Sequence, residues 1–316
     1  MNNLVRLIGR RLIALPLMVV GVTLLVFFIM ALSPIDPAYV AFGENATPEQ
    51  LANYREVNGL NDPLLIQYWN YLVGIVQGDL GTYGVGTGNQ VADKVFTALP
   101  ITLGLTFMGL IVAVVISFPL GVLAALYRDR WIDQAIRVIS VAALATPSFW
   151  LAILLVLFFM GTLPVSGALP AFSEDPGGWF MRMLLPALAL AVPVIGQMTR
   201  VVRTSMVEEL DRDYVRTALG AGIPKHIVVA RNVLRNALIT PVTVLGLRVG
   251  YLMGGAVVIE IIFSIPGMGR VLIDGITNNW VYVVQGATLV VAIAFIAVNI
   301  VVDLLYVLIN PRIRAV

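Results

Sequence analysis

The feature that most limits this chain is the length of its uncharged intervals. A helix needs roughly 20 apolar residues to cross a hydrocarbon core of about 30 Å. Between Arg11 and Asp36 lie 24 uncharged residues, between Lys94 and Arg128 there are 33, and between Arg137 and Glu174 there are 36. Met183 to Thr199 gives 17 residues between two arginines, and Gly275 to Val302 gives 28. Ala237 to Phe263 is interrupted by Arg248 and closed by Glu260, yet Val242–Leu247 and Val249–Ile259 are apolar or small throughout, so it too reads as a span. Inside a bilayer every backbone N–H and C=O must find a partner within the protein, which leaves helices as the natural spanning element for stretches of this length. The expected fold is an all-α polytopic membrane protein with six transmembrane helices.

Composition and charge agree with that reading and orient it. The chain is 59% hydrophobic and only 12% charged, far more apolar than a soluble domain requires. Cytoplasmic loops of membrane proteins accumulate Lys and Arg. With the N-terminus inside, the inner segments carry Arg6, Arg10, Arg11, Arg128, Arg130, Arg137, seven basic residues between Arg200 and Arg235, and Arg312 and Arg314. The outer segments carry only Arg55, Lys94, Arg182 and Arg270. Fifteen against four, with Arg248 inside a span, places both termini and the loop 200–236 in the cytoplasm. The first apolar run exceeds the roughly 7–15 residues of a signal-peptide core, so it reads as an uncleaved anchor. There is no cysteine, and His226 is the single histidine. Disulfides, iron–sulfur clusters, thiolate nucleophiles and His- or Cys-rich metal sites are therefore excluded.

The outer segment Ser33–Thr97 reads as folded. Thr47-Pro48-Glu49-Gln50 combines an N-cap, a proline at the first helical position and a Gln three residues after the cap, predicting a short helix to Val57 that stops at Asn58-Gly59. Asp62-Pro63 opens a second helix ending before Gly78, in which Leu64, Leu65, Tyr68, Trp69, Leu72, Val73 and Val76 recur at helical spacing. That stripe suits either the membrane interface or packing over the bundle. Gly78, Gly81, Gly84, Gly86 and Gly88 follow, but no Gly-Lys-Ser/Thr closes the run, so it is not a phosphate loop.

The loop from Arg200 to Arg235 is patterned beyond what a connection needs. Asp211 or Asp213 can cap a short helix over Tyr214–Ala221, which Gly222 and Pro224 would end. Tyr214, Ala218 and Ala221 share a face, with Val215 and Leu219 beside them, edged by Arg212 and Arg216. Such a surface fits a partner's groove, or lies on anionic lipid through its arginines.

These residues carry a resemblance. Asp213-Tyr214-Val215-Arg216-Thr217-Ala218-Leu219-Gly220-Ala221-Gly222 resembles the EAA loop of permease subunits of binding-protein-dependent ABC importers, in the dipeptide, oligopeptide and nickel group. The likeness extends over Asn58-Gly59-Leu60-Asn61-Asp62-Pro63-Leu64, Gly78-Asp79-Leu80-Gly81, Arg235-Asn236-Ala237-Leu238, Gly255-Ala256-Val257-Val258-Ile259-Glu260, Pro266-Gly267-Met268-Gly269 and Asn310-Pro311-Arg312. It departs where Arg216-Thr217-Ala218 replaces Glu-Ala-Ala and Leu219-Gly220-Ala221 replaces a basic Arg-Ala-Lys. The resemblance implies the type I ABC importer transmembrane-domain fold, an anchor and outer helical segment over 1–97, and a core permease domain over 98–316. It implies that 213–222 is a coupling helix on a separate ATPase. It also implies a second homologous permease, two ATPase subunits or one fused pair, an extracytoplasmic solute-binding protein and membrane lipid as partners, with no nucleic acid. ATP and Mg2+ would be bound by the partner ATPase and no cofactor by this chain. The cargo would be di- or oligopeptides, or else nickel, glutathione or haem.

Charges inside a bilayer usually face a cavity or a partner. Arg248 and Glu260 are the candidates, with Glu260 expected near the outer end where water can solvate it. The resemblance makes Glu260 a regular feature of the group and leads to glutamine where this chain has Arg248. Gly246, Gly250 and Gly254 fall at four-residue intervals and form a face for close helix approach, within the bundle or against the paired permease. Asp303 reads as interfacial. An ion-coupled carrier would show paired broken-helix repeats, and none is evident. An intramembrane hydrolase could draw on Ser117, Ser140 or Ser148, but the only histidine lies in the loop.

Overall fold

A computed structural model describes residues 2–43, 46–84 and 88–309, with side chains from 15 to 302 of these. Gly86, Asn310-Pro311-Arg312, Arg314 and the side chains of Arg6, Arg10, Arg11 and Asp303 lie outside the described residues. The described chain is almost entirely helical. In order it forms α1 (Asn2–Ala31), α2 (Pro37–Phe42), α3 (Pro48–Val57), α4 (Leu64–Gln77), the strands β1 (Thr82–Tyr83) and β2 (Asn89–Gln90), then α5 (Val91–Leu126), α6 (Trp131–Ala145), α7 (Ser148–Phe159) and α8 (Pro176–Leu210). After these come α9 (Asp213–Gly220), α10 (Lys225–Val228), a π-helical turn Val229–Val233, α11 (Leu234–Ala237), α12 (Ile239–Ile262), α13 (Met268–Thr277) and α14 (Val281–Ile309). Its contacts group it into two compact units, one built mainly on Leu103–Ile265 and the other on Val5–Thr102 with Pro266–Ala297.

Four helices among the described residues are long and apolar enough to cross a membrane: α5, α8, α12 and Val281–Val302 of α14. The helices α6 and α7 pass the same test only as a pair, bent by 98°. The sequence led us to expect one span between Arg137 and Glu174; the structure keeps the apolar pair but bends it at a break the sequence reading did not include. Pro147 causes it: Thr146 is extended (φ −80, ψ 118), as the residue before a proline tends to be, and Pro147 supplies no N–H to continue α6. In α1 the apolar stretch with described side chains, Leu15–Ala31, is a shorter apolar helix.

In the unit built on Leu103–Ile265, α8 is the central element. It contacts α6, α7 and α12, and its residues Met183, Ala187, Leu190, Ala191, Met198 and Val202 are buried. Small residues let the neighbours in. A Cβ on Gly196 would stand 2.4 Å from the Ser140 carbonyl oxygen and 2.8 Å from the Leu144 nitrogen of α6. One on Gly121 of α5 would meet Val202 at 2.6 Å, and one on Gly255 of α12 would meet Leu190 at 2.9 Å. In a bilayer, where lipid tails offer no hydrophobic gain for helix association, such close backbone approach maximises dispersion contacts.

Two arginines of α8 are also tied down. Asp133 of α6 is wholly buried and accepts from Arg203 Nε at 2.6 Å and Nη2 at 2.7 Å, and from the Asp129 backbone N–H at 3.0 Å. Arg137 stands 3.6 Å away on its own helix. Arg182, 2% exposed, donates to the Pro164 carbonyl at 3.3 Å and to the Phe263 carbonyl. The sequence placed Arg182 in an outer loop; it lies inside α8, because that helix starts at Pro176, capped by the Asp175 side chain.

In the unit built on Val5–Thr102 and Pro266–Ala297, the core gathers Leu80, Val91, Val95, Ala98, Met268, Val271, Val283, Ala287 and Val290. The expected capping box is present: Thr47 Oγ1 accepts from Gln50 N at 3.3 Å, and Gln50 Oε1 accepts from Thr47 N at 2.9 Å. Gly78 ends α4 in the left-handed region (φ 81), where glycine bears no side-chain penalty. The stripe of α4 divides. Tyr68 is buried and bonded to Thr23 Oγ1 of α1 at 3.0 Å and the Val20 carbonyl at 3.1 Å, while Leu65, Trp69 and Val76 are exposed. The glycine-rich run held a hairpin that its composition did not announce, with Thr82 opposite Gln90 and Tyr83 opposite Asn89. Lys94 holds it in place, 5.0 Å from the Tyr83 ring, 5.1 Å from the Trp280 ring and 3.7 Å from Asp274.

Two outcomes follow for the isolated subunit in detergent. Gly196→Ala forces a methyl against the α6 backbone and is expected to cost about 1–3 kcal/mol, read as a lower thermal midpoint. Gly254→Ala, with nothing within 4 Å of its Cβ, is expected to be neutral or to stabilise through helix propensity by up to about 1 kcal/mol. An unchanged midpoint for Gly196→Ala would contradict the crossing. Arg203→Leu strands a buried carboxylate and is expected to cost about 3 kcal/mol, partly recovered when Asp133→Asn is added; a double variant no better than the single one would argue against the pair.

Candidate coupling surface and pathway residues

The stretch from Arg200 to Arg235 is scarcely a loop. The helix α8 continues to Leu210, well past the last uncharged residue at Thr199, because Arg, Val, Met and Glu are acceptable helix formers once the chain leaves lipid. The α10–π–α11 run then carries the chain helically back to α12. The described segment therefore holds α9 between two helical arms rather than on a tether.

The cap of α9 also differs from expectation. Arg212 is the N-cap residue and provides no side-chain bond. Asp211 instead ends α8 and accepts from Arg128 Nη1 at 2.9 Å. Asp213 lies in the first turn of α9, where its charge still complements the helix N-terminus. The far end behaves as predicted: Gly222 takes φ 82, and its N–H donates to the Leu219 carbonyl at 3.0 Å.

The apolar face that the sequence offered to a partner is largely used internally. Val215 is buried in a cluster with Ala125, Val202, Met206, Val228, Val229 and Val233, and Tyr214 and Ala218 pack against it half-buried. Tyr214 Oη donates to Glu209 Oε2 at 2.8 Å and receives Asn236 Nδ2 at 3.5 Å. Burial first, and then the acceptor Glu209, hold the phenol above its ordinary pKa. What α9 and its exit leave open are Asp213, Arg216, Thr217, Leu219, Gly220, Ala221 and Gly222, continued by Ile223 and Ile227. Leu219, Ile223 and Ile227 are 40%, 42% and 42% exposed. The exposed surface of this segment is thus the α9 exit with Leu219, Ile223 and Ile227, not the Tyr214–Ala218 face.

The five candidates on α12 separate as clearly. Glu260 is fully buried, so the expectation that water solvates it is corrected; it sits in the last turn of α12, and its carbonyl accepts from Ile265 N at 2.8 Å. Arg248 is half-buried, its Nε enclosed without a hydrogen-bond partner among the described residues and its guanidinium 6.0 Å from the Tyr251 ring. Gly246 meets Val302 of α14, to which a Cβ would come within 2.3 Å. Gly250 is half-buried, and Gly254 faces open space. The glycine face is therefore divided, with its first member spent on packing and its last left on an exposed strip with Leu247, Tyr251, Val258 and Ile261. Gly255, the glycine that takes a neighbouring helix, was not singled out from sequence, and neither was the Asp133–Arg203 pair. A charge just beyond the start of an apolar interval was the signal available for Arg182, and nothing in the sequence marked Arg203 apart from the other basic residues of its segment.

Two family descriptions together match nearly the whole chain. Residues 117–315 match the binding-protein-dependent transport system inner membrane component, and residues 4–106 match the N-terminal part of the membrane component of such systems. Relatives include a putative peptide transport system permease protein of Brucella abortus (strain 2308), 37% identical over 304 residues that cover 95% of this chain and 96% of the relative. The probable D,D-dipeptide transport system permease protein DdpB of Escherichia coli (strain K12) is 37% identical over 322 residues, 95% and 94% of the two chains. The glutathione transport system permease protein GsiC of Salmonella typhimurium is 37% identical over 305 residues, 96% and 97% of the two chains. With such coverage at both ends, the chain belongs to the binding-protein-dependent permeases of ABC importers, as a multi-pass component of the inner membrane.

Proposed function

We propose that the chain is one of two homologous permease subunits through which short peptides, delivered by an extracytoplasmic solute-binding protein, enter the cytoplasm. Two ATPase subunits or one fused pair drive it, and they, rather than this chain, bind ATP and Mg2+ and perform the hydrolysis. The observation that carries the peptide reading is the run of relatives named for peptide, dipeptide and glutathione transport at 37% identity across nearly the full chain.

Six spans follow if α1 and the bent α6–α7 pair are each counted beside α5, α8, α12 and α14, with both termini inside on the charge bias. On that topology residues 1–97 supply an anchor and an outer helical segment, and 98–316 the core. The exposed outer strip of α4, with Trp69 between Leu65 and Val76, then meets lipid headgroups. The α9 exit faces the cytoplasm and serves as the coupling surface. Because Val215 and Ala218 anchor α9 to α8 and the π-helical turn, a push on Leu219–Ile223 is passed directly to a spanning helix. Arg248, Gly254 and the exposed strip of α12 face the translocation path or the paired permease, and that environment supplies the partner for the enclosed Arg248 Nε.

Leu219→Asp and Ile223→Asp replace exposed side chains, so they are expected to leave the subunit folded yet reduce peptide-stimulated ATP hydrolysis by the assembled complex to its unstimulated rate. Normal stimulation would remove the coupling assignment. Arg248→Gln is expected to change transport affinity or rate in proteoliposomes by about tenfold; transport indistinguishable from the unaltered complex would make Arg248 a residue of the lipid boundary.

A further inference from the structure

The unit built on Val5–Thr102 and Pro266–Ala297 contains a recess of about 770 Å3, walled by the end of α1, the α3–α4 turn, α4, the hairpin strands and the start of α14. Its volume falls within the roughly 300–1,000 Å3 of small-ligand sites. The lining is unusual for its carboxamides: Asn61 and Asn70 on one wall, Gln90 on the hairpin and Gln285 on α14. Gln285 is only 4% exposed, a costly place for a polar side chain unless it serves the recess. Tyr71 lines the same wall, and its hydroxyl is buried without a hydrogen-bond partner among the described residues.

Of the charges around the recess, Arg55 and Asp36 neutralise each other, and Asp79 is left with a backbone donor and no ion pair among the described residues. Arg55 Nε donates to Asp36 Oδ2 at 2.8 Å, and Asp79 Oδ1 accepts from Gly81 N at 2.8 Å. Beside that one carboxylate and an apolar floor that includes Phe27, Met30 and Leu64, the free polar groups are neutral ones that both donate and accept, as a carboxamide does with its NH2 and C=O. A lipid phosphate would call for unpaired cations and a metal ion for several carboxylates. An extended peptide presents the matching pattern, one N–H and one C=O per residue, and leaves its side chains unread.

We infer that this recess is an accessory binding site for a short free peptide, held through its main-chain amides on the side the charge bias assigns to the exterior. None of its lining residues belongs to α9 or α12. The inference rests on the peptide reading of the importer and adds to it a site on the permease itself. Such a site retains cargo near the entrance when the solute-binding protein lets go, and it accepts many sequences because it reads only backbone.

The test is equilibrium dialysis of tritiated tri-alanine against the complete importer in lipid nanodiscs, with the solute-binding protein left out. Saturable binding of one equivalent per complex is expected. Gln285→Leu, Asn70→Leu and Tyr71→Phe are each expected to weaken it by about tenfold. The Tyr71→Phe variant removes only an oxygen that has no partner in the described protein, so a loss there does not reflect a broken fold. Saturable binding that all three variants leave unchanged would overturn the recess as the site. Absence of saturable binding, in a complex whose ATP hydrolysis still responds to tri-alanine presented by the solute-binding protein, would overturn the recess while leaving the importer reading intact. Absence of both would overturn the two together.

Discussion

The packing of α8 against its neighbours is the constraint on which its unit depends. Lipid gives no hydrophobic reward for bringing helices together, so association relies on how closely backbones can approach. Gly196 lets α6 reach the α8 axis, and Gly121 and Gly255 let α5 and α12 do the same. The buried side of α8 mixes alanines and methionines with Leu190, Val194, Ile195 and Val202, so that glycines on the neighbouring helices meet its larger side chains. Two prolines, Pro186 and Pro193, sit within the same helix, and their missing N–H donors are tolerated because the surrounding helices hold the backbone in place.

The same helix joins the α6 ion pair to the α9 cluster. Arg203 is locked to the buried Asp133 of α6, and about one turn further on Met206 joins the cluster that encloses Val215 of α9. A movement imposed on the exit of α9 therefore acts on a stiff, paired helix end. Most of α9's apolar face is consumed in making this joint. Its outward surface is left with the apolar side chains Leu219, Ile223 and Ile227.

Much was legible in advance where physics is local. The capping box at Thr47 and Gln50, the αL stop at Gly78 and the stop at Gly222 each depend on two or three adjacent residues, and each formed as read. The break at Thr146-Pro147 was legible in principle from the proline, but apolar residues on both sides concealed it, since hydropathy measures length and not direction. The extent of α8 was misread for a related reason. The end of an uncharged interval marks where lipid stops, whereas the helix stops only at Asp211, whose backbone N–H donates to the Val207 carbonyl and closes its last turn.

What the sequence by itself determined was the solvent and the family, because both depend on composition summed over long stretches or on motifs in fixed order. What only the tertiary structure decided was which of the marked residues are spent on holding the fold and which remain free to act. Gly246 and Glu260 turned inward while Gly254 stayed open; Tyr214, Val215 and Ala218 packed down while Leu219 and Ile223 remained outside. These choices follow from which face of a helix its neighbours cover. Periodicity places residues on one face, but only the arrangement of the other helices settles whether that face meets protein or partner.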